Sequence, residues 1–492
     1  MLVEMSPQGI CILSCLLLIS CAGSAELLSS DRKTTGNPSV NDRLDICMKC
    51  TCLNKQITCN SELKLSDVLL LQAPRDYNVL DLSTQQLTTI HEESFVEGVD
   101  ITQINLAYNH ISYIAPFAFR AFKNLTSITL AYNNLVTLED DSFAYLPRLE
   151  ELDLSVNRFK HFHPEYFAKL SNLRYLILDQ NHLDSLHSSV FRNNTKLTHL
   201  HMNKLYIDRL DDNLFQYTKD IQVLHLGNNF FETVPYRALS KLLRLEVLTL
   251  SGNPIHYLGP ASFPYLPNLQ QLILHDMSSL HRIEVYSFSD LPMLRNLKIQ
   301  NCKNLLYIDP KAFILKMQNN PVKYPKIRNL VIYDTQITTL SKDLLNWDDI
   351  DDLDLGKNQF HCNCNFTWII EVVRKQEVNN RIRCSSPPAF AGHIIGELQA
   401  SEVPCDNFDP LANDPRLREH RLSAKTIATH RGFSLLHLVV VVMSAVTVVL
   451  SILLLLSLRN RGFLYRKLGK PQPMTYAGGE NVLYMRTTID NY

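Results

Sequence analysis

What this 492-residue chain lacks narrows its function before any motif is read. It has no charge bias: 48 Lys and Arg stand against 49 Asp and Glu, a formal net charge of −1. Nothing in that balance draws it to nucleic acid or to an anionic surface. No short catalytic signature is present. The sequence has no G-x-S-x-G elbow, no phosphate loop, no HExxH and no kinase set. Ser, His and Asp are plentiful but scattered, with no segment set aside to enclose them and exclude water. The sequence calls for no enzyme, no cofactor, no metal and no nucleic-acid partner. Long apolar runs are also few. One lies at residues 10–19, followed by small residues up to Ala25, and one at 432–458.

What is there instead is a repeat. From Tyr77 a pattern returns every 24 residues, at Ile101, Leu125, Leu149, Leu173, Leu197, Ile221, Leu245 and Leu269. It continues with looser spacing at Leu294, Ile327 and Ile350. The unit is L-x-x-L-x-L-x-x-N-x-L, an aliphatic or aromatic residue, then usually Phe. Leu125, Ile128, Leu130, Asn133, Leu135, Leu138 and Phe143 show it cleanly. Its period-two core marks a short strand with one buried face. No 3.6-residue stripe runs through a whole unit, which excludes a helical reading. A fixed period of this length means a stack of coils, and this pattern is the leucine-rich repeat. The expected fold is an α/β solenoid: a leucine-rich-repeat horseshoe with a concave parallel β-sheet, in which each coil is stabilised by its neighbours and both ends need caps.

Two columns should hold the stack together. Asn109, Asn133, Asn157, Asn181, Asn229, Asn253 and Asn358 stand where the chain leaves the strand. An amide there can satisfy backbone groups that would otherwise be buried unpaired. Gln85, Leu205, Met277, Cys302 and Thr335 replace it, so an interrupted ladder is expected. Phe95, Phe119, Phe143, Phe167, Phe191, Phe215, Phe263, Phe288 and Phe313 recur once per coil. They should form a stacked spine, each ring burying roughly 150–250 Å².

Eight cysteines cluster at the two ends of the array: Cys47, Cys50, Cys52 and Cys59, then Cys362, Cys364, Cys384 and Cys405. Four cysteines allow three pairings, and spacing alone does not choose. Neighbours as close as Cys362 and Cys364 seldom bond to each other. A zinc knuckle is the alternative for the first cluster, but secretion favours disulfides. Both clusters resemble the cysteine-rich caps of the extracellular leucine-rich-repeat family, single-pass type I membrane proteins. Phe360, Trp368, Pro387 and Gly392 match the C-terminal cap, while Asn358-Gln359-Phe360 departs from the usual Asn-Pro-Trp opening. The resemblance covers roughly residues 47–405. It implies the pairs Cys47–Cys52, Cys50–Cys59, Cys362–Cys384 and Cys364–Cys405. Cys302, at a ladder position, reads as a structural buried thiol.

The expected organisation is a signal peptide at 1–25, a linker at 26–46 and an N-terminal cap at 47–76. Twelve repeats follow at 77–360, then a C-terminal cap at 361–405 and a stalk at 406–431. A transmembrane helix at 432–458 and a cytoplasmic tail at 459–492 complete it. The first apolar run is too short to span a bilayer and the second is long enough. Basic residues flank the second on both sides, so the leader decides the orientation, with the repeats outside. Asn124, Asn193 and Asn365 begin N-glycosylation sequons in the exported part. Residues 314–326 lengthen one unit and read as a surface loop. In the tail, Tyr465 begins a Tyr-x-x-hydrophobic sorting pattern and Tyr484 is a candidate phosphorylation site. A cytoplasmic adaptor and a co-receptor are the partners this short tail would need.

The non-leucine strand positions should face the concave side. Parallel strands lie about 4.8 Å apart, which gathers Tyr175, Ile177, His199, His201, Val223 and His225 into one patch. Mixed aromatic, aliphatic and polar side chains of this kind fit a protein-binding core. Its three imidazoles invite a metal or a pH-sensitive contact, but no oriented carboxylate accompanies them in the sequence. The function expected is cell-surface recognition or adhesion, binding a protein ligand without catalysis. The alternative is an innate-immunity co-receptor that recognises microbial products.

Overall fold

The computed structural model describes residues 44–59, 71–72, 77–95, 100–260, 262–315, 323–375, 382–409, 443–444 and 446–452. Each repeat contributes one short strand, because alternate apolar side chains at this period bury one face and leave the other open. Twelve such strands, from Val79–Asp81 to Asp352–Asp354, lie side by side in one sheet. Each pairs in parallel with the next repeat's strand, in register with the sequence period: Tyr175 opposite His199, His199 opposite Val223. An antiparallel hairpin, Thr51–Leu53 with Gln56–Thr58, adds two strands at the N-terminal end and brings the sheet to fourteen. Gln56–Thr58 then pairs in parallel with Val79–Asp81, so the cap continues the sheet and covers its first edge. Small parallel pairings on the back of the stack join Thr89–Ile90 to Tyr113–Ile114, and Tyr257–Leu258 to Arg282–Ile283 and Tyr307–Ile308.

Between sheet and back runs one continuous hydrophobic core. Its largest members are the phenylalanine column, every ring of which is buried. Rings of successive coils stack: Phe95 on Phe119 at 5.9 Å, Phe119 on Phe143 at 5.8 Å, Phe288 on Phe313 at 4.6 Å. Leu239, fully buried, occupies the column where the pattern has no Phe.

The asparagine ladder works by double coverage. Asn157 Nδ2 donates to Leu154 O of its own coil at 3.1 Å and to Leu130 O of the preceding coil at 2.9 Å. Its Oδ1 accepts from Leu135 N at 3.0 Å. Asn133 reaches Leu130 O as well, and Asn181 reaches Leu154 O. Each such carbonyl therefore has two amide donors from successive coils.

The interruptions expected from the sequence are fewer than five, because at Gln85, Cys302 and Thr335 a side chain other than asparagine serves the ladder's carbonyls or amides. Gln85 Nε2 donates to Cys59 O and Ser83 O. Cys302 Sγ lies 3.2 Å from Leu274 O as a thiol donor. Thr335 Oγ1 donates to Asn358 Oδ1 at 2.6 Å and accepts from Ile337 N. Leu205 has no polar side chain, and its backbone steps in: Leu183 N turns to Leu205 O at 3.0 Å. Leu178 O and Met202 O keep one amide each, from Asn181 and Asn229.

A second regularity has only a partial sequence signal, the Asn, Asp or Gly at five of its twelve positions. The residue just before each of the twelve ladder positions has positive φ, from Thr84 at 60° through Val156 at 52° to Lys357 at 54°. Only Gly252, at 69°, is a glycine. A Cβ there would stand 2.3 Å from Asn228 Oδ1, so another residue would have to displace the Asn228 side chain. A left-handed non-glycine residue costs roughly 1–2 kcal/mol. The ladder bonds that this turn presents offset that cost.

The caps are disulfide-bonded. The bonds join Cys47 to Cys52, Cys50 to Cys59, Cys362 to Cys384 and Cys364 to Cys405. Helix Trp368–Lys375 buries Ile369, Ile370 and Val373 to close the C-terminal end. Past Cys405 the chain stays on the cap. Asp406 bonds His361 Nε2 at 2.7 Å and Asn363 Nδ2 at 2.8 Å, and Phe408 stacks on His361 at 3.9 Å. These two bonds hold the Asp406 carboxyl below its usual range.

Cys302 is free and fully buried, and burial pushes its thiol up to about 12. The thiolate is the reactive form. Iodoacetamide at mildly alkaline pH should therefore leave Cys302 unmodified in the folded protein and alkylate it on unfolding, read by intact mass. Labelling of the native protein would refute its place in the core.

The signal-peptide, tail and most of the stalk calls lie outside the described residues, as do Tyr465 and Tyr484. Of the expected span at 432–458, residues 443–444 and 446–452 are described; they are helical and exposed. Among the described residues no helix is long and apolar enough to cross a membrane.

Candidate functional site

The open face of the sheet is built by the outward positions of each strand, while the alternate leucines point into the core. On strands Tyr175–Ile177, His199–His201 and Val223–His225 the burial alternates accordingly, with Leu176, Leu200 and Leu224 fully buried. The register brings the six residues singled out in the sequence together. Tyr175 is exposed, and Ile177, His199, His201, Val223 and His225 are half-buried. The Tyr175 and His199 rings stack at 4.2 Å, and His201 meets His225 edge-on at 4.5 Å. His199 Nδ1 lies 3.0 Å from Thr198 Oγ1, and His225 Nδ1 lies 2.9 Å from Thr249 Oγ1.

A carboxylate that the sequence reading did not assign to the patch stands beside it. Asp179 Oδ2 is 3.9 Å from His201 Nδ1. Asp179 is held from behind, since its oxygens accept Asn203 N at 2.6 Å and Asn203 Nδ2 at 3.0 Å. Asn203 Oδ1 in turn accepts Gly227 N at 2.7 Å. A Cβ on Gly227 would lie 2.9 Å from that oxygen, so glycine keeps this row flat. Among the described residues no group of three or more His, Cys, Asp or Glu is arranged to hold a metal ion.

The patch is wider than its six named residues. Val247 and Thr249 lie next to Val223 and His225, with Gln271 and Ile273 beyond them, all half-buried. At about 4.8 Å per strand, the stretch from Tyr175 to Ile273 spans roughly 19 Å. Its outward columns contain no Lys or Arg until Lys298, on the next strand. Burial pulls His199 and His225 below their usual range, and the neighbouring His201 adds to it. Burial lowers His275 as well, and its Nε2 is buried without a hydrogen-bond partner. Apart from the Asp179 carboxylate, this surface of aliphatic and aromatic side chains and imidazoles without Lys or Arg loses little on desolvation.

The sequon asparagines lie away from this face, in the turns that precede strands or in the cap. Asn124 is half-buried with Nδ2 on Asp100, and Asn193 is exposed with Nδ2 on Ala168 O. Asn365 is exposed in the 3₁₀ turn Cys364–Phe366.

This geometry defines a class: a solenoid of leucine-rich repeats with disulfide-bonded caps. The leucine-rich-repeat family model matches the chain in seven overlapping pieces that run from residue 77 to residue 306. No curated protein sequence matches it significantly. Among solved structures it resembles a chain in the octameric complex of Latrophilin 3, Unc5D and FLRT2, in which FLRT2 is the leucine-rich-repeat component. The TM-score is 0.52 at 21% identity, covering 73% of this chain and 99% of that one. A fainter likeness is to the glycosylated Toll–Spatzle complex, a hub of Drosophila development and innate immunity. There the TM-score is 0.44 at 18% identity, and the match covers 70% of this chain and 50% of that one.

Proposed function

We propose that this chain is a cell-surface recognition or adhesion receptor that binds a protein ligand on the open face of its repeats, without a catalytic step. The observation that carries this reading is the half-exposed patch from Tyr175 to Ile273. It combines a stacked aromatic pair, aliphatic side chains and imidazoles on a sheet held rigid by its ladder. Rigid aromatic anchors amid polar neighbours are what hot spots are made of. The chain in the Latrophilin 3, Unc5D and FLRT2 complex puts a similar fold to use among protein partners. Four cap disulfides suit an oxidising, extracellular setting.

In this reading the leader directs the repeats outside, the run at 432–458 anchors the chain as a single-pass type I protein of the plasma membrane, and Asn124, Asn193 and Asn365 carry glycans. Glycans there would flank the open face rather than cover it. The tail, with Tyr465 and Tyr484, passes signals through an adaptor or a co-receptor. The test is to display the full-length protein on cells and probe it with a panel of ectodomains from surface proteins, beside microbial glycans and lipids. Binding of an ectodomain, competed by soluble protein, is the expected result. Binding of microbial products alone would replace this reading with the co-receptor one.

A further inference from the structure

Three histidines occupy adjacent positions on two neighbouring strands of the patch, two of their rings in contact with each other and the third stacked on Tyr175, on the surface a partner would cover. His201 and His225 lie directly opposite each other with ring centroids 4.5 Å apart. His199 lies on the same strand as His201 and is stacked under Tyr175. We propose that this trio makes the patch an acid-release element: a protein ligand held at neutral pH is let go as its surroundings acidify. The inference rests on the binding reading above.

The argument is one of charge count in a confined place. The charged and titratable groups that face the trio are few. Asp179 approaches His201 at 3.9 Å and also acts on His225. Glu246, on the turn before the next strand but one, acts on His199 at longer range. Tyr175 offers a neutral ring. His275, further along the sheet, faces Asp276 and Lys298 instead. Asp179 compensates one positive charge and is already engaged by Asn203. A second proton on the trio therefore sits against a first, across a contact where like charges oppose. At neutral pH His199 and His225, held down by burial, are uncharged and can be covered cheaply. In acid, covering them means burying unpaired cations or expelling their protons, and either weakens the complex.

The direction is consistent with the free protein. A histidine held below its usual value of 6.5 resists protonation when folded. The unfolded chain then binds more protons as pH falls below 6.5, so acid opposes the neutral arrangement and rising pH restores it. Burial under a partner deepens the same effect.

The probe is the immobilised ectodomain recovered in the display screen, and the protein is the full-length chain. Its dissociation constant should rise by about threefold or more between about pH 7.4 and about pH 5.5, less than the roughly tenfold of an ordinary imidazole because burial holds His199 and His225 below 6.5. In the triple variant His199→Gln, His201→Gln, His225→Gln the ratio of the two constants should fall toward one, whatever its affinity at neutral pH. A control variant at flank histidines, His161→Gln with His187→Gln, should keep the parental ratio. A pH-insensitive parent, or a triple variant with the parental ratio, overturns the acid-release element and leaves the binding reading standing. A screen in which no ectodomain binds overturns both.

Discussion

Replacing Asn157 and Asn181 together with Ala should destabilise the protein by more than the two single replacements combined. Each single change strands one amide N–H: Leu135 N for Asn157 and Phe159 N for Asn181. Such an orphan costs on the order of 1–3 kcal/mol. Asn181→Ala also strands Leu178 O, which has no other amide, but Leu154 O, shared by the two asparagines, survives either single change because its coverage is double. With Asn157 gone, Leu130 O still has Asn133 and Leu154 O still has Asn181. With both gone, Leu154 O has no amide left. A coupling of about 1 kcal/mol or more should therefore appear in a double-mutant cycle from denaturant melts. Strict additivity would show that the two amides act independently and refute double coverage. The coil of Leu205 is the natural precedent. There one amide is missing, its neighbours on both sides remain, and the backbone of Leu183 has found another acceptor.

The second large effect concerns binding. Tyr175→Glu combined with His201→Glu should weaken attachment of the recovered ectodomain by about a hundredfold or more, the loss expected when hot-spot side chains at the centre of an interface are replaced by charge. Folding should survive, because Tyr175 is 41% exposed and His201 keeps about a third of its side chain in solvent. An unchanged thermal midpoint and a Cys302 still shielded from iodoacetamide would verify that. A correctly folded double variant that bound as the parent does would move the binding site away from this face.

The repeat itself carries most of this, for a physical reason. A coil that cannot bury its own leucines needs identical neighbours, so the same residue types must recur at the same interval. Strand register, the phenylalanine column and the grouping of Tyr175, His199, His201 and His225 all follow from that interval. The substitutions in the ladder were misleading for the opposite reason. A Gln, a Cys and a Thr look like gaps beside asparagine, yet Gln85, Cys302 and Thr335 each place a polar atom near the same carbonyls or amides.

Sequence by itself determined the stacked-coil fold, the twelve repeat strands and which side chains share their open face, because those depend on periodicity alone; that the N-terminal cap adds a hairpin and makes the sheet fourteen-stranded came only with the structure. Tertiary structure alone decided which atoms meet. The left-handed residues before the ladder positions include Asn228, Gly252, Asp276, Asn301 and Asp334, types that favour this conformation, but also Thr, Tyr, Val, Gln and Lys, which do not; at those, packing between coils imposes it. The interval sets the register, but that Asp179 stands 3.9 Å from His201 and that His201 meets His225 at 4.5 Å depends on how these side chains turn once the strands lie side by side. Side-chain direction and separation arise from contacts between coils, and those contacts exist only once the chain has wound back on itself.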